Sequence, residues 1–277
     1  MVTRIITSVV ALAVLAGVLI SPPVVFNIVL CAVILVMLHE CYTSAKVLKP
    51  IMAAGFISSA AIMAALYESV YYIEPIWENR YIAPAVIFTV LLHLAVAIAV
   101  HGKSDYRDVL ASGLLTIYIT LSMGCLALTN SEYGTAIMII VFVCAWSTDT
   151  GAYFTGRAFG KRKLIPHVSP NKTVAGAVGG VIISIVCCII YLMIYVKIIG
   201  GTVGYQWPIL VCGGAIVGGA AGILAQVGDL AASAIKRDTG VKDFGWIFPG
   251  HGGFMDRFDS VLYISPVIYF ILQFMVS

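Results

Sequence analysis

Residues Pro208–Ile235 read PILVCGGAIVGGAAGILAQVGDLAASAI. The stretch outruns the ~20 apolar residues needed to cross a hydrocarbon core ~30 Å thick. Its one charged side chain, Asp229, comes near its end. This reading decides the fold class, because apolar runs of the same kind recur along the chain. Spans are predicted near Ile5–Ile20, Pro23–Leu38, Pro50–Leu66, Tyr81–Val100, Val109–Leu128, Gly134–Phe154, Thr173–Val196, Pro208–Ile235 and Phe258–Val276. Composition agrees: 61% of the 277 residues are hydrophobic, against roughly 45–50% in soluble domains. Strands of ~10 residues with alternating polarity, the mark of an outer-membrane barrel, do not occur. The expected fold is all-α, a polytopic integral membrane protein of about nine transmembrane helices.

Charge sets an expected orientation, since Lys and Arg stay on the cytoplasmic side. With the amino terminus inside, fourteen of the 16 Lys and Arg fall inside and two, Arg80 and Lys197, outside. The amino terminus is therefore expected in the cytoplasm and the carboxyl terminus outside, in a bacterial inner membrane. Residues 1–20 could be a cleaved leader; a retained span is preferred, because no convincing cleavage site precedes Ser21-Pro22-Pro23. The seven cysteines show no CxxC spacing and read as small apolar side chains. The chain divides into residues 1–132, about five helices, and a catalytic region, 133–277, with cytoplasmic loops at 157–172 and 237–257. The active site is expected at the cytoplasmic ends of the carboxyl-terminal helices.

The opening stretch has two halves. Gly214, Gly218 and Gly222 form a small-residue stripe that lets helix backbones approach, with residues 176–180 of the seventh span as a candidate partner. Beyond it, Gln226, Asp229, Ser233 and Lys236 share one helical face. A carboxylate at the end of an apolar span needs a cation, a partner or water. The ninth span opens FMDRFDSVLY, with Asp256, Ser260 and Tyr263 on one face and Asp259 at its edge. Two converging carboxylates repel unless one is protonated or a metal lies between them. Asp oxygens without Cys or clustered His suit a hard ion such as Mg²⁺.

From Asp229 to Asp259 there are five acids and four bases, whereas GRAFGKRKLIPHVSPNKT, Gly156–Thr173, has five bases and no acid. One loop thus looks built for metal and the other for anions, the division that phosphoryl or nucleotidyl transfer needs. Gly250, Gly252 and Gly253 around His251 offer backbone N–H groups that could cradle a phosphate.

The run Ser233-x-Ile-Lys-Arg-x4-Lys-Asp-x-Gly-x2-Phe-Pro-x-His-Gly-Gly-Phe-x-Asp-Arg-Phe-Asp resembles the signature of the phosphatidate cytidylyltransferase (CDP-diacylglycerol synthase) family. The likeness extends upstream through Trp146–Gly180; the amino-terminal half matches in being a set of apolar spans. The resemblance implies that phosphatidate attacks the α-phosphate of CTP, releasing pyrophosphate and forming CDP-diacylglycerol in phospholipid biosynthesis. It implies Asp229 and Asp256 as ligands of Mg²⁺, with room for a second monovalent or divalent cation. Lys236, Lys242 and His251 join them as catalytic candidates. Ser233, Arg237, Gly252, Gly253, Arg257 and Asp259 become candidate substrate contacts. Asp149, Lys161, Ser169, Asn171, Lys172 and Thr173 form a second cluster, on the nucleotide or headgroup side. The chain departs from the family at Ala175, where a Glu or Gln is expected, so any polar contact from that position is in doubt.

Expected partners are CTP, phosphatidate and the bilayer, with no nucleic acid; a homodimer is left open. Two other functions compete. A CTP-dependent polyprenol or phytol kinase would need the same ion, nucleotide and lipid. A cation transporter fits less well, because the charges lie at one membrane surface and no inverted repeat is evident. Elsewhere plain readings prevail. Asn171-Lys172-Thr173 matches a glycosylation sequon but is placed inside. His93 reads as an interhelical hydrogen-bond partner. His39, Glu40, Glu68, Glu74 and Glu78 read as solvated side chains at span ends. Tyr67, Tyr71, Tyr72, Trp77 and Tyr81 read as an aromatic belt.

Overall fold

The computed structural model describes residues 2–73, 75–199 and 207–276; Glu74 lies outside the described residues. Among these, nine helices occur: α1 (Val2–Ile20), α2 (Pro23–Ser44), α3 (Lys49–Tyr72), α4 (Ile82–Ala99), α5 (Tyr106–Tyr133), α6 (Thr135–Phe159), α7 (Val174–Ile199), α8 (Trp207–Thr239) and α9 (Met255–Val276). All except α1 are long and apolar enough to cross a membrane; in α1 the described apolar run, Val9–Ile20, is shorter. The protein is a helical integral membrane protein. One element escaped the sequence reading. The basic loop contains a two-stranded antiparallel hairpin, β1 (Lys163–Ile165) and β2 (Ser169–Thr173), turning at residues 166–168. Strands this short, holding Pro170 and two lysines, carry no alternating apolar pattern.

Packing groups residues 1–135 with 238–258, and residues 136–237 with 259–277. The loop assigned above to the carboxyl-terminal region therefore packs with the amino-terminal helices.

In the first unit, α3 packs against α2, α4 and α5. Hydroxyls stitch these contacts: Tyr42 Oη and Thr116 Oγ1 lie 2.5 Å apart, and Ser59 and Thr120 2.9 Å apart. Polar pairs of this kind replace the hydrophobic drive that is missing in lipid. Gly55 makes room for the Tyr42 ring, and Gly124 for the end of Leu66. Between α3 and α4, buried Asn79 donates to the Ala65 carbonyl and to Ser69 Oγ, and its Oδ1 accepts from the Tyr81 and Ile82 amides. The five belt aromatics are all exposed there. His93 differs from expectation: Nδ1 pairs with the Thr89 carbonyl of its own helix, at 2.8 Å, and the ring lies over Gly113. An i−4 carbonyl in the same helix takes Nδ1, and Nε2 is buried without a hydrogen-bond partner among the described residues.

The second unit packs backbone on backbone. A Cβ on Gly218 would lie 2.7 Å from Ile185 Cα and 2.9 Å from the Ser184 carbonyl oxygen; Gly214 and Gly222 face Ile189 and Val181 similarly. The stripe of α8 thus rides on α7, and Ser184 Oγ donates to the Gly218 carbonyl at 2.9 Å. Gly176, Gly179 and Gly180, the expected partners, turn instead toward Ala152, Thr155 and Thr148 of α6. Contact between α8 and that part of α7 comes from Gln226, whose amide donates to the Ala177 carbonyl.

Candidate active site

In the second unit, α8 and α9 touch at Gly228, where a Cβ would meet the Asp259 carbonyl oxygen at 2.5 Å and Ser260 Cα at 3.1 Å. Ser260 Oγ donates to the Ala225 carbonyl and locks the crossing. That approach puts Asp229, the next residue on α8, beside Asp259, whose electrostatic neighbours are Asp229, Asp149 and Lys236. Asp229 has both oxygens engaged: Lys172 Nζ lies 2.6 Å from Oδ2, and Ser233 Oγ donates to Oδ1 at 3.4 Å. Sequence spacing anticipated the Asp229–Ser233–Lys236 face. It did not anticipate Lys172 as the partner of Asp229, nor Asp259 as its carboxylate neighbour.

The hairpin delivers Lys172. Thr173, assigned above to substrate, is buried and caps α7: its Oγ1 accepts from the Gly176 amide at 3.1 Å. Gly156, Gly160 and Gly176 leave space around that hydroxyl. A hydroxyl at the first turn of a helix satisfies an orphan N–H, so this role is set by position in the fold. Arg237 at the end of α8 donates from Nε to the Val168 carbonyl in the hairpin turn. Ser169 is half-buried, whereas Lys161, Asn171 and Asp149 are exposed.

In the first unit, the loop from residue 240 to 254 folds back on the start of α9. Asp256 is buried, and its Oδ2 accepts from the Phe244 amide at 2.8 Å and the Gly253 amide at 3.0 Å. Gly253 was expected to offer that N–H to phosphate; the anion it meets is this carboxylate. Gly252, at φ +82°, adopts a conformation that L side chains rarely take, and a Cβ there would crowd Asp256. His251 is half-buried, with its amide bonded to the Phe248 carbonyl. Lys242 and Arg257 are exposed.

Glu40 corrects the plain reading of span ends. It is 5% exposed, and its two oxygens accept from the Phe254 and Met255 amides, at 3.1 and 2.9 Å. An acid at the end of an apolar span signals an unusual environment, but no local pattern reveals a partner more than two hundred residues away.

Asp229 and Asp259 offer hard oxygen donors of the kind Mg²⁺ takes, one or two carboxylates completed by water and substrate phosphates. Among the described residues no three His, Cys, Asp or Glu side chains converge on one point. An ion held there would depend on substrate and solvent oxygens for the rest of its shell.

The geometry supplies clustered carboxylates facing cations in one unit and an amide-bound carboxylate in the other, all on a membrane scaffold. Comparison with known proteins gives a family. The chain is 36% identical over 272 residues to a phosphatidate cytidylyltransferase of Bacillus subtilis, covering 97% of this chain and 96% of that one. It is 34% identical over 196 residues to the phosphatidate cytidylyltransferase of Staphylococcus saprophyticus, covering 71% of each. A Synechocystis protein of the same name is 38% identical over 141 residues, about half of this chain. Residues 2–275 match the model of the cytidylyltransferase family, and the chain belongs to that family.

Proposed function

We propose that the protein transfers the cytidylyl group of CTP to phosphatidate, yielding CDP-diacylglycerol and pyrophosphate. The observation that carries this reading is the unbroken signature from Ser233 to Asp259 inside a family match of nearly the full chain. A phosphatidate phosphate oxygen forms a bond to the α-phosphorus of CTP. The bond from that phosphorus to the oxygen bridging the β-phosphate breaks, and pyrophosphate leaves with the electron pair.

Both reactants are anions, so several charges must be neutralised for them to meet. Lys236, Arg237, Lys242, His251 and Arg257 are the groups proposed to hold phosphate oxygens, with Lys161 and Lys172 on the side of the hairpin. Lys172 would exchange Asp229 for a phosphate oxygen when substrate arrives. Asp229 and Asp256 are the proposed Mg²⁺ ligands, and the proximity of Asp259 to Asp229 supports adding it to the set. Bound Mg²⁺ would supply polarisation of the attacked phosphate. The amino terminus is placed in the cytoplasm, on the charge partition, so that both loops meet soluble CTP.

The test uses CTP labelled at the α- or the γ-phosphate, with purified protein and phosphatidate in mixed micelles. Label from the α-position alone should enter the lipid. Label from the γ-position would make the protein a lipid kinase, and absence of both labels would overturn the proposal.

A further inference from the structure

Glu40 does for α9 what an N-cap side chain does for an ordinary helix. The first amides of a helix have no partner within it, and Phe254, the residue preceding Met255, has no side-chain acceptor to offer. Glu40 takes both the Phe254 and the Met255 amides. Its charge sits against the positive end of the helix dipole, which offsets the cost of burying a carboxylate. One residue further, Asp256 ties the Gly253 and Phe244 amides to the same helix start. Two carboxylates therefore clamp one short segment. The clamp explains Gly245, which a phosphate cradle leaves unexplained, and gives Gly253 a second reason: a Cβ on either would collide with the Glu40 carboxylate.

We infer that Glu40 is a positioning residue for turnover, fixing Asp256 through the amides of Phe254 and Met255. The inference rests on the reading of Asp256 as part of the reaction centre. Glu40 itself touches no substrate. Displacing Asp256 by a fraction of an ångström is enough to slow a reaction that depends on alignment.

The experiment compares Glu40→Gln, Gly245→Ala and Asp256→Asn in the full-length protein. Glu40→Gln presents an NH₂ group where an oxygen met an N–H, so it can serve one amide and repels the other. Gly245→Ala keeps the charge and pushes the flexible end of Glu40 off its partners. Each should speed hydrogen exchange at residues 253–256. Each should lower kcat per folded molecule by about 10- to 100-fold, with KM for CTP within threefold of the wild type. Combining either with Asp256→Asn should cost no more than Asp256→Asn alone. If Glu40→Gln does not fold, Gly245→Ala decides by the same readings. Wild-type kcat in the folded variants, or unchanged amide protection, overturns the inference while an inactive Asp256→Asn leaves the proposed function standing. A fully active Asp256→Asn would instead remove Asp256 from the reaction, and Glu40's role with it.

Discussion

The two units hold their helices together by different means. In the first, side chain meets side chain: Tyr42 with Thr116, Ser59 with Thr120, Leu66 folded over Gly124. In the second, backbone meets backbone, with glycines of α8 against α7 and Gly228 against α9. Their carboxylates divide the same way. Glu40 and Asp256 accept from main-chain amides, which cannot leave. Asp229 is met by Lys172 and Ser233, side chains free to swing elsewhere. Acids of the first kind hold shape, and acids of the second kind can change partners.

The sharpest attempt to break that contrast replaces Asp229 and Asp256 by Asn, one at a time. Both changes should cut turnover by at least ~10²-fold, and the double change should cost little more. Stability should separate them. Asp256→Asn weakens two hydrogen bonds to an ionised acceptor and should cost about 1–3 kcal/mol. Asp229→Asn removes a partly exposed ion pair and should cost less than ~1 kcal/mol. Turnover and thermal midpoints in detergent check both. Equal stability losses would erase the distinction, and losses in rate that simply multiply would assign the two carboxylates to separate steps.

Matched glycine substitutions probe the packing. At Gly218 a methyl group meets backbone atoms of Ile185 and Ser184, so Gly218→Ala should cost about 1–3 kcal/mol. At Gly124 it meets the movable end of Leu66, and the gain in helix propensity, about 1 kcal/mol, should leave Gly124→Ala near neutral. Thermal unfolding in the same detergent reads both; a larger loss at Gly124 would invert the comparison. The smallest effect should come from Asp238→Asn. Asp238 is exposed and belongs to neither kind of acid, so activity should change less than twofold and stability within ~0.5 kcal/mol. A tenfold loss of rate would show that a third kind exists.

Much of this was legible in the residues. Apolar length alone marks the spans, because a bilayer has one thickness, and the α8 glycine stripe announces a close helix contact by its spacing. The Asp229–Ser233–Lys236 face follows from helical period. What the residues hid depends on distance along the chain. Lys172 reaches Asp229 through a hairpin whose strands are too short and too charged to show a pattern. The capping role of Thr173 stayed hidden because a capping hydroxyl and a binding hydroxyl are the same residue type. Glu40 looked solvated because its partners are main-chain amides, which carry no letter in a sequence.

Glu40 also sets a schedule. Its two partners are made 214 and 215 residues after it. At ~5–20 residues per second of synthesis, α2 enters the membrane roughly ten to forty seconds before the amides that receive its carboxylate exist. Through that interval the acid must stay wet or protonated, because the amides it meets in the folded chain do not yet exist. Emergence of residues 254 and 255 ends that wait. Synthesis halted before Phe254 would leave the Glu40 carboxylate without either of the amides that hold it.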